Sequence, residues 1–170
     1  TGPAILSSGL IKDIPDKQPL IFLSADHIIE KFNKFNLQIK KNIKYLNSHN
    51  IFVFGIKPNS PSEQYGYFVT KRKKNLNVVS KFHEKPNEKK AKVIIKSGGY
   101  WNSGIFFLRK DSLINNFQKY QKNIYRNSLK AVIKSRYKNN TYFLNKKTFN
   151  KNVSKSFDCA ILEKSKNINA

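Results

Sequence analysis

The stretch from Leu20 to Ile29 constrains the fold more than any other part of this sequence. It begins with the apolar run Leu-Ile-Phe-Leu and continues directly into Ser-Ala-Asp-His. A short unbroken apolar run predicts a strand buried on both faces, and ligands of open α/β sheets bind beyond the carboxyl ends of such strands. Asp26 lies beyond that end. Its carboxylate either holds a divalent cation over a crevice or caps the next helix.

A strand–helix–strand pattern predicts an α/β fold. Apolar residues recur every three or four positions across Glu30–Asn50, which predicts a helix packed on a sheet. Ile51–Ile56 is a second apolar run, so we expect the two strands to form a parallel pair joined by the helix. Further strands are predicted at Tyr65–Val69, Val78–Phe82 and Ile105–Leu108, further helices at Thr1–Asp13, Asn87–Ser97 and Asp111–Tyr137, and a polar loop at Lys138–Asn152.

Composition limits the partners that such a chain can have. The chain carries 33 Lys and Arg against 10 Asp and Glu, for a net charge of +23. Nucleic-acid-binding proteins have such a balance, but here the basic residues are nearly all lysines scattered along the chain. We therefore favour solvated surface lysines over a nucleic-acid-binding module, which stays as a third alternative. No apolar run approaches the length of a membrane span, so we expect no membrane partner. The single cysteine, Cys159, favours a reducing, cytoplasmic compartment.

Two segments away from the first strand carry residues suited to ligand binding. Gly66, between two tyrosines, indicates either a close approach of the backbone to another group or a bulge. Trp101 and Asn102 combine an aromatic face with an amide that donates and accepts hydrogen bonds, which suits sugar recognition. The same pattern is equally typical of a turn before a buried strand. Asp158 lies at the start of a further predicted helix.

Six segments, taken in order, resemble the sugar-phosphate nucleotidyltransferases. Each segment is short, but their order and compatible spacing make the combination specific. Within that family the similarity is strongest to the bacterial mannose-1-phosphate guanylyltransferase (GDP-mannose pyrophosphorylase) branch. The segments are TGPAI at Thr1–Ile5, LSADHII at Leu23–Ile29, FGIKPNSPSEQYGYF at Phe54–Phe68, FHEKP at Phe82–Pro86, YWNSGIFFLR at Tyr100–Arg109 and SFDCAILEK at Ser156–Lys164.

The resemblance implies a Rossmann-like nucleotidyltransferase domain with a mixed, mainly parallel sheet. It also implies transfer of GMP from GTP to mannose 1-phosphate, giving GDP-mannose for polysaccharide biosynthesis and pyrophosphate, with no covalent intermediate. Mg²⁺ would offset the charge of the phosphates, and a lysine would bind the phosphate of the sugar. The resemblance implies that the catalytic residues are Asp26, Lys85 and Asp158, and that the metal ligands are Asp26 and Asp158. The implied substrate-binding residues are Gly66, Glu84, Lys85 and Asn102. The implied nucleotide-binding residues are Thr1 and Gly2.

The sequence departs from the family pattern at two places. The Gly-rich loop with which the family cradles the triphosphate has no counterpart, so we expect residues 1–170 to form a partial catalytic domain that is inactive alone. The family's Glu-Thr-Gly before Tyr-Gly-Tyr is replaced by Ser62, Glu63 and Gln64. An added carboxylate near a sugar phosphate is unfavourable unless it points away.

Several alternatives stay open from the sequence. The substrate could be another hexose 1-phosphate with a different base, because Asp26, Lys85 and Asp158 would suit any of them. The chain could instead be an inactive remnant of the family, which the changes at Glu63 and Gln64 would fit. A complementing N-terminal segment or a homo-oligomer could complete the site.

Overall fold

The computed structural model describes residues 1–170 as eight strands and six α-helices. The strands are β1 (Pro19–Phe22), β2 (Ile51–Ile56), β3 (Tyr67–Lys73), β4 (Leu76–His83), β5 (Tyr100–Arg109), β6 (Arg136–Lys138), β7 (Thr141–Phe143) and β8 (Ile168–Asn169). The helices are α1 (Gly2–Gly9), α2 (Phe32–Asn42), α3 (Glu88–Lys96), α4 (Lys110–Tyr120), α5 (Lys122–Ile133) and α6 (Lys146–Phe149). A 3-10 turn at Ile43–Tyr45 extends α2, and a π-helical turn covers Asp158–Leu162.

One mixed six-stranded sheet organises the chain, in the order β1-β5-β2-β8-β4-β3. Its long strand β5 pairs with β1, β2 and β3, so it links the two halves of the sheet. The predicted α/β fold and mixed sheet are confirmed, but the expectation of mainly parallel pairing is wrong, because only β2 and β8 pair in parallel. The strands β1 and β2 run in the same direction, yet β5 lies between them, so they are not the adjacent pair that the sequence predicts.

The first strand is not buried on both faces as its apolar run predicts. All four residues of Pro19–Phe22 are only partly buried, and Leu23 beyond them is 51% exposed. The reason is position: β1 is at the edge of the sheet and has β5 as its only neighbour. In an edge strand, one side of the backbone has no hydrogen-bonded neighbour, and the side chains have no neighbouring strand to cover them on that side.

The main core lies on the face of the sheet that α1, α4, α5 and the π-helical turn cover. Phe157 is fully buried there, with its ring centroid 4.5 Å from that of Phe106 and 6.1 Å from that of Phe117. The amphipathic helix α2 contributes no buried residue and ends at Asn42, well before the predicted limit at Asn50. None of the helices is both long and apolar enough to cross a bilayer.

Two further elements differ from their sequence predictions. The single helix expected at Asp111–Tyr137 is two helices, because Gln121 leaves the helical region (φ −143°, ψ 55°) and its side chain donates a 2.8 Å hydrogen bond to the carbonyl of Ala160. The hairpin β6–β7 replaces the end of that predicted helix and the start of the stretch predicted as a loop, Lys138–Asn152, which also contains α6. Asn139 and Asn140 turn this hairpin at positive φ, which asparagine tolerates better than most residues.

Candidate functional site

A polar cleft of about 500 Å³ lies where the last residue of β2 meets the first half of β5. The register between these strands shifts from Val53 to Gly55, and Gly104 adopts a φ of 73° at the same level. Such an irregularity in a sheet redirects side chains and is common beside binding sites. The cleft is lined by Thr1, Ser24, His27, Ile56, Gln64, Tyr65, Gly66, Glu84, Lys85, Trp101, Asn102, Ser103, Gly104, Ser156 and Asp158.

The carboxylate of Asp158 is held rigidly in this cleft. It begins the π-helical turn, directly after the fully buried Phe157, so the core fixes the position of its backbone. The side-chain amide of Asn102 donates a 2.6 Å hydrogen bond to Asp158 Oδ1. Burial raises the pKa of Asp158, and the hydrogen bonds from its own backbone amide and from Asn102 oppose that shift in part.

Glu84 brings a second carboxylate to the same cleft, beside Gly66. A Cβ atom on Gly66 would lie 2.9 Å from Glu84 Oε2, so a side chain there would displace the end of Glu84 from its present position. Partial burial, and then the charge of Asp158, raise the pKa of Glu84, while the ammonium of Lys85 lowers it. The predicted close approach at Gly66 is therefore present, and the group that approaches is a side chain of this protein.

Lys85 supplies the cation of the cleft from a strained position. It follows Glu84, and its φ of 40° places a lysine in the left-handed region that such residues seldom occupy. Strained backbone of this kind persists where the surrounding structure holds it, and it is frequent at functional sites. The ammonium of Lys85 and the partly buried carboxylates of Glu84 and Asp158 give the cleft one positive and two negative side chains.

An aromatic pair forms one wall of the cleft. The ring centroids of Tyr65 and Trp101 are 4.8 Å apart at an interplanar angle of 49°. The sequence pointed to Trp101 as an aromatic face for a sugar but missed Tyr65. The spacing of the two tyrosines that flank Gly66, Tyr65 and Tyr67, is the sequence feature that could have indicated Tyr65. Tyr67 turns inward, and its hydroxyl group hydrogen-bonds the backbone of Ser62.

The carboxylate of Glu63, which would be unfavourable beside a sugar phosphate, points away from the cleft. Glu63 does not line the cleft, and its Oε1 accepts a 2.7 Å hydrogen bond from the backbone N–H of Glu88, the first residue of α3. Helix N-termini have unpaired N–H groups and favour negative charge, so Glu63 is stabilised where it lies. The next residue, Gln64, does line the cleft with a neutral side chain.

The structure does not bring Asp26 into the cleft that contains Asp158. Asp26 is exposed in a turn and lines a separate, adjacent depression, which shares His27, Ile56 and Ser103 with the cleft. No group of three or more His, Cys, Asp or Glu side chains is arranged to hold a metal ion. The shared metal site of Asp26 and Asp158 therefore stays a prediction.

The two residues predicted to bind a nucleotide have different positions. Thr1 lines the cleft, and its Oγ1 accepts a 3.2 Å hydrogen bond from the backbone N–H of Phe157. Gly2 is buried, and a Cβ atom on it would lie 2.8 Å from the carbonyl oxygen of Lys155. Gly2 therefore allows α1 to pack closely against the segment that carries Asp158.

The donor set of the cleft fits a magnesium ion that is held jointly with a phosphorylated ligand. Mg²⁺ usually takes one or two carboxylates from the protein and completes its shell with waters and phosphate oxygens. Asp158 offers such a carboxylate. A cation bound beside it would also reduce the electrostatic repulsion between the carboxylates of Asp158 and Glu84.

The partly buried carboxylate of Asp158 leads to a prediction about stability and pH in the presence of a chelator. Because burial raises the pKa of Asp158, the folded chain binds this proton more tightly than the unfolded chain does. The ionised carboxylate therefore lowers stability at neutral pH, and this cost disappears as the pH falls through the folded pKa. We expect Asp158→Asn to be more stable than the wild type at neutral pH, with the difference shrinking on acidification. Urea unfolding at about pH 7.5 and about pH 4.5 measures both, and a difference that grows on acidification would contradict the assignment.

Comparison with known proteins assigns the chain to a family. The sequence profile of the family described as nucleotidyl transferase matches residues 2–152. The chain belongs to this nucleotidyltransferase family, and the cleft is formed by the segments through which its sequence resembles sugar-phosphate nucleotidyltransferases.

Relatives of known name refine that assignment. The chain is 33% identical over 177 residues to a mannose-1-phosphate guanylyltransferase of Escherichia coli, a match that covers 98% of this chain and 38% of the relative. It is 30% identical over 150 residues to the alginate biosynthesis protein AlgA of Pseudomonas aeruginosa, covering 85% of this chain and 31% of that protein. A crystal structure described as mannose-6-phosphate isomerase from Helicobacter pylori superposes with a TM-score of 0.87 at 27% identity, over 99% of this chain and 66% of that one. The chain thus spans about a third of the length of these curated relatives.

Proposed function

We propose that this chain is the part of a mannose-1-phosphate guanylyltransferase that binds the sugar phosphate. The reaction is the attack of a phosphate oxygen of mannose 1-phosphate on the α-phosphorus of GTP. The new O–P bond forms as the bond to the β-phosphate oxygen breaks, giving GDP-mannose and pyrophosphate. The observation that carries the proposal is the gathering of Lys85, Glu84, Asn102 and Asp158 in one cleft. The names of the relatives support mannose and guanine in particular.

The residues of the cleft have distinct roles in this proposal. The ammonium of Lys85 binds the phosphate of the sugar, and the aromatic wall of Tyr65 and Trp101 packs against the ring. Glu84 accepts hydrogen bonds from sugar hydroxyls. The Asn102 amide already donates to Asp158 and its carbonyl oxygen accepts from the N–H of Gly104, so one N–H of Asn102 is left for the sugar.

Positioning and charge stabilisation account for the catalysis. Asp158 would hold Mg²⁺, and Asp26 would join it from the adjacent depression; bound there, the ion would neutralise charge on the phosphates of the nucleotide. No side chain of the cleft has to act as a nucleophile, because the sugar phosphate is itself the attacking group. Since GTP and sugar phosphates are cytoplasmic metabolites, the same proposal carries a cytoplasmic location and a role in nucleotide-sugar supply for polysaccharides, as the name of the alginate relative suggests.

Lys85→Met provides a test that is specific to the sugar phosphate. The variant keeps the length of the side chain and removes its charge, so a charge-assisted contact with the phosphate is lost. We expect KM for mannose 1-phosphate to rise about 10- to 100-fold, with KM for GTP little changed. Steady-state kinetics on the complete gene product measures both constants. Lys89→Met, an exposed lysine that does not line the cleft, is the matched control. An equal rise in both KM values would contradict the role of Lys85.

The function itself is tested by a substrate panel. Complete gene product is supplied with Mg²⁺, one of four nucleoside triphosphates, and mannose, glucose or galactose 1-phosphate. The proposal expects the highest kcat/KM for GTP with mannose 1-phosphate. A preference for another sugar or base would identify a different hexose-1-phosphate nucleotidyltransferase, and no turnover with any pair would favour the inactive remnant.

A further inference from the structure

A second cleft, of about 630 Å³, lies at the opposite end of the sheet. It is formed by the turn before β2, the β3–β4 hairpin and the segment that leads into β8. Asn50 and Ile56 are at the two ends of β2, so about 20 Å of strand separates this cleft from the one that contains Asp158. A small ligand bound here does not contact the side chains of the cleft that contains Asp158.

One wall of this second cleft is rigid. The side-chain oxygens of Asn47 and Asn50 each accept a 3.1 Å hydrogen bond from the other's backbone N–H. The amide of Asn50 also donates a 2.8 Å hydrogen bond to the carbonyl of Tyr45, and Asn50 is 6% exposed. This network holds the turn in one conformation, so the shape of the wall exists before any ligand binds.

Strand β8 contributes an asparagine side chain to the same cleft. The backbone of Asn169 pairs with Phe52 of β2 and Val78 of β4, so the pairing of the strands fixes its position. Asn169 lines the cleft, and its side chain is not among the buried polar groups that lack a hydrogen-bond partner. Its amide is therefore open to solvent and can donate a hydrogen bond to a ligand in the cleft.

The charged groups of this second cleft are all positive. Lys73, Lys74 and Lys166 line it, none of them forms an ion pair, and no Asp or Glu is among the lining residues. Lys74 turns the β3–β4 hairpin with a φ of 54°, which fixes two adjacent lysines at its tip. The cleft that contains Asp158 differs, because there Lys85 faces two carboxylates.

We propose that this second cleft binds a small free anion that carries two or more phosphate groups. Three unpaired ammonium groups match several negative charges, and unpaired asparagine amides donate hydrogen bonds to phosphate oxygens. The volume exceeds what a single phosphate fills, which favours a chain of phosphates or a nucleoside polyphosphate. The site is separate from the proposed reaction and does not depend on it.

The experiment is a titration of the complete gene product, labelled with ¹⁵N in asparagine, with inorganic tripolyphosphate. The side-chain amide resonance of Asn169, assigned by its absence in Asn169→Asp, reports on this cleft alone. We expect it to shift with saturable dependence on tripolyphosphate. The variant K73Q/K74Q/K166Q should weaken that binding at least about tenfold, because three charge-assisted contacts are lost.

A second triple variant separates a specific site from general attraction to a basic protein. K122Q/K130Q/K134Q removes the same charge from exposed lysines of α5 and its end, none of which lines either cleft. We expect it to change the affinity at the Asn169 resonance less than about threefold, because only long-range attraction is reduced. An Asn169 resonance that does not move, or an equal loss of affinity in both triple variants, would overturn the proposal. A folded control spectrum of each variant excludes unfolding as the cause.

Discussion

Asp158→Asn should lower kcat/KM for nucleotidyl transfer at least about a hundredfold. Replacing residues that only support a metal ligand costs about 10- to 100-fold, and Asp158 is the carboxylate that would hold the ion itself. The change preserves shape and leaves an oxygen that can still accept from Asn102, so the loss would come from the missing charge. The measurement is the initial rate of GDP-mannose formation by the complete gene product over a range of Mg²⁺ concentrations.

Glu163→Gln is the matched control for this prediction. Glu163 is exposed, is close enough to contribute to the raised pKa of Asp158, and does not line the cleft. Removing its charge should change kcat/KM less than about threefold, as expected for a surface charge in high dielectric. If Asp158→Asn kept more than a tenth of the activity, or if Glu163→Gln lost as much, the assigned role of Asp158 would be wrong.

Phe157→Ala should cost about 3–5 kcal/mol of unfolding free energy. The ring is fully buried and packs against Phe106 and Phe117, so its removal leaves a cavity where α4, β5 and the π-helical turn meet. A loss of that size is a large fraction of the stability of an ordinary domain. Chemical denaturation followed by circular dichroism measures it.

Two further variants keep the stability prediction testable if Phe157→Ala does not fold. Phe157→Leu retains most of the apolar volume and should cost about 1–3 kcal/mol. Phe143→Ala removes a ring of the same kind that is 51% exposed in β7, and should cost under about 1 kcal/mol. Similar losses for Phe157→Ala and Phe143→Ala would show that the core does not depend on Phe157.

The strands were predictable from the sequence, but their neighbours were not. The apolar runs at Ile51–Ile56 and Ile105–Leu108 both lie in strands, as short unbroken apolar runs predict. The order of the strands is decided by contacts distant in the sequence. Pairing Leu20 with Leu108 inserts β5 beside β1, and nothing within Leu20–Ile56 specifies this insertion.

The predicted helix limits were wrong where a tertiary contact competes with the local sequence pattern. Apolar spacing continues through Gln121, yet its side chain bonds the carbonyl of Ala160 and the helix breaks there. The first helix was predicted with Thr1 as its N-cap, and Thr1 does occupy that position. Its side chain, however, makes no capping bond and accepts one from Phe157 instead.

The candidate site was predictable through short motifs, and the interactions inside it were not. Gly66, Glu84, Lys85, Asn102 and Asp158 were indicated by four short segments, and the structure places all five around one cleft, whereas Asp26 lies in the adjacent depression. The bond from Asn102 to Asp158 joins residues 56 positions apart, which no local pattern encodes. For the same reason, the sequence did not predict that the carboxylate of Glu63 accepts a hydrogen bond from the N-terminus of α3.

The most direct test of the account is GDP-mannose formation by the complete gene product supplied with GTP, mannose 1-phosphate and Mg²⁺, followed by chromatography of the nucleotide products. We expect GDP-mannose and pyrophosphate in equal amounts, and loss of both in Asp158→Asn. Failure to form GDP-mannose by a folded wild-type protein, or equal formation by Asp158→Asn, would contradict it.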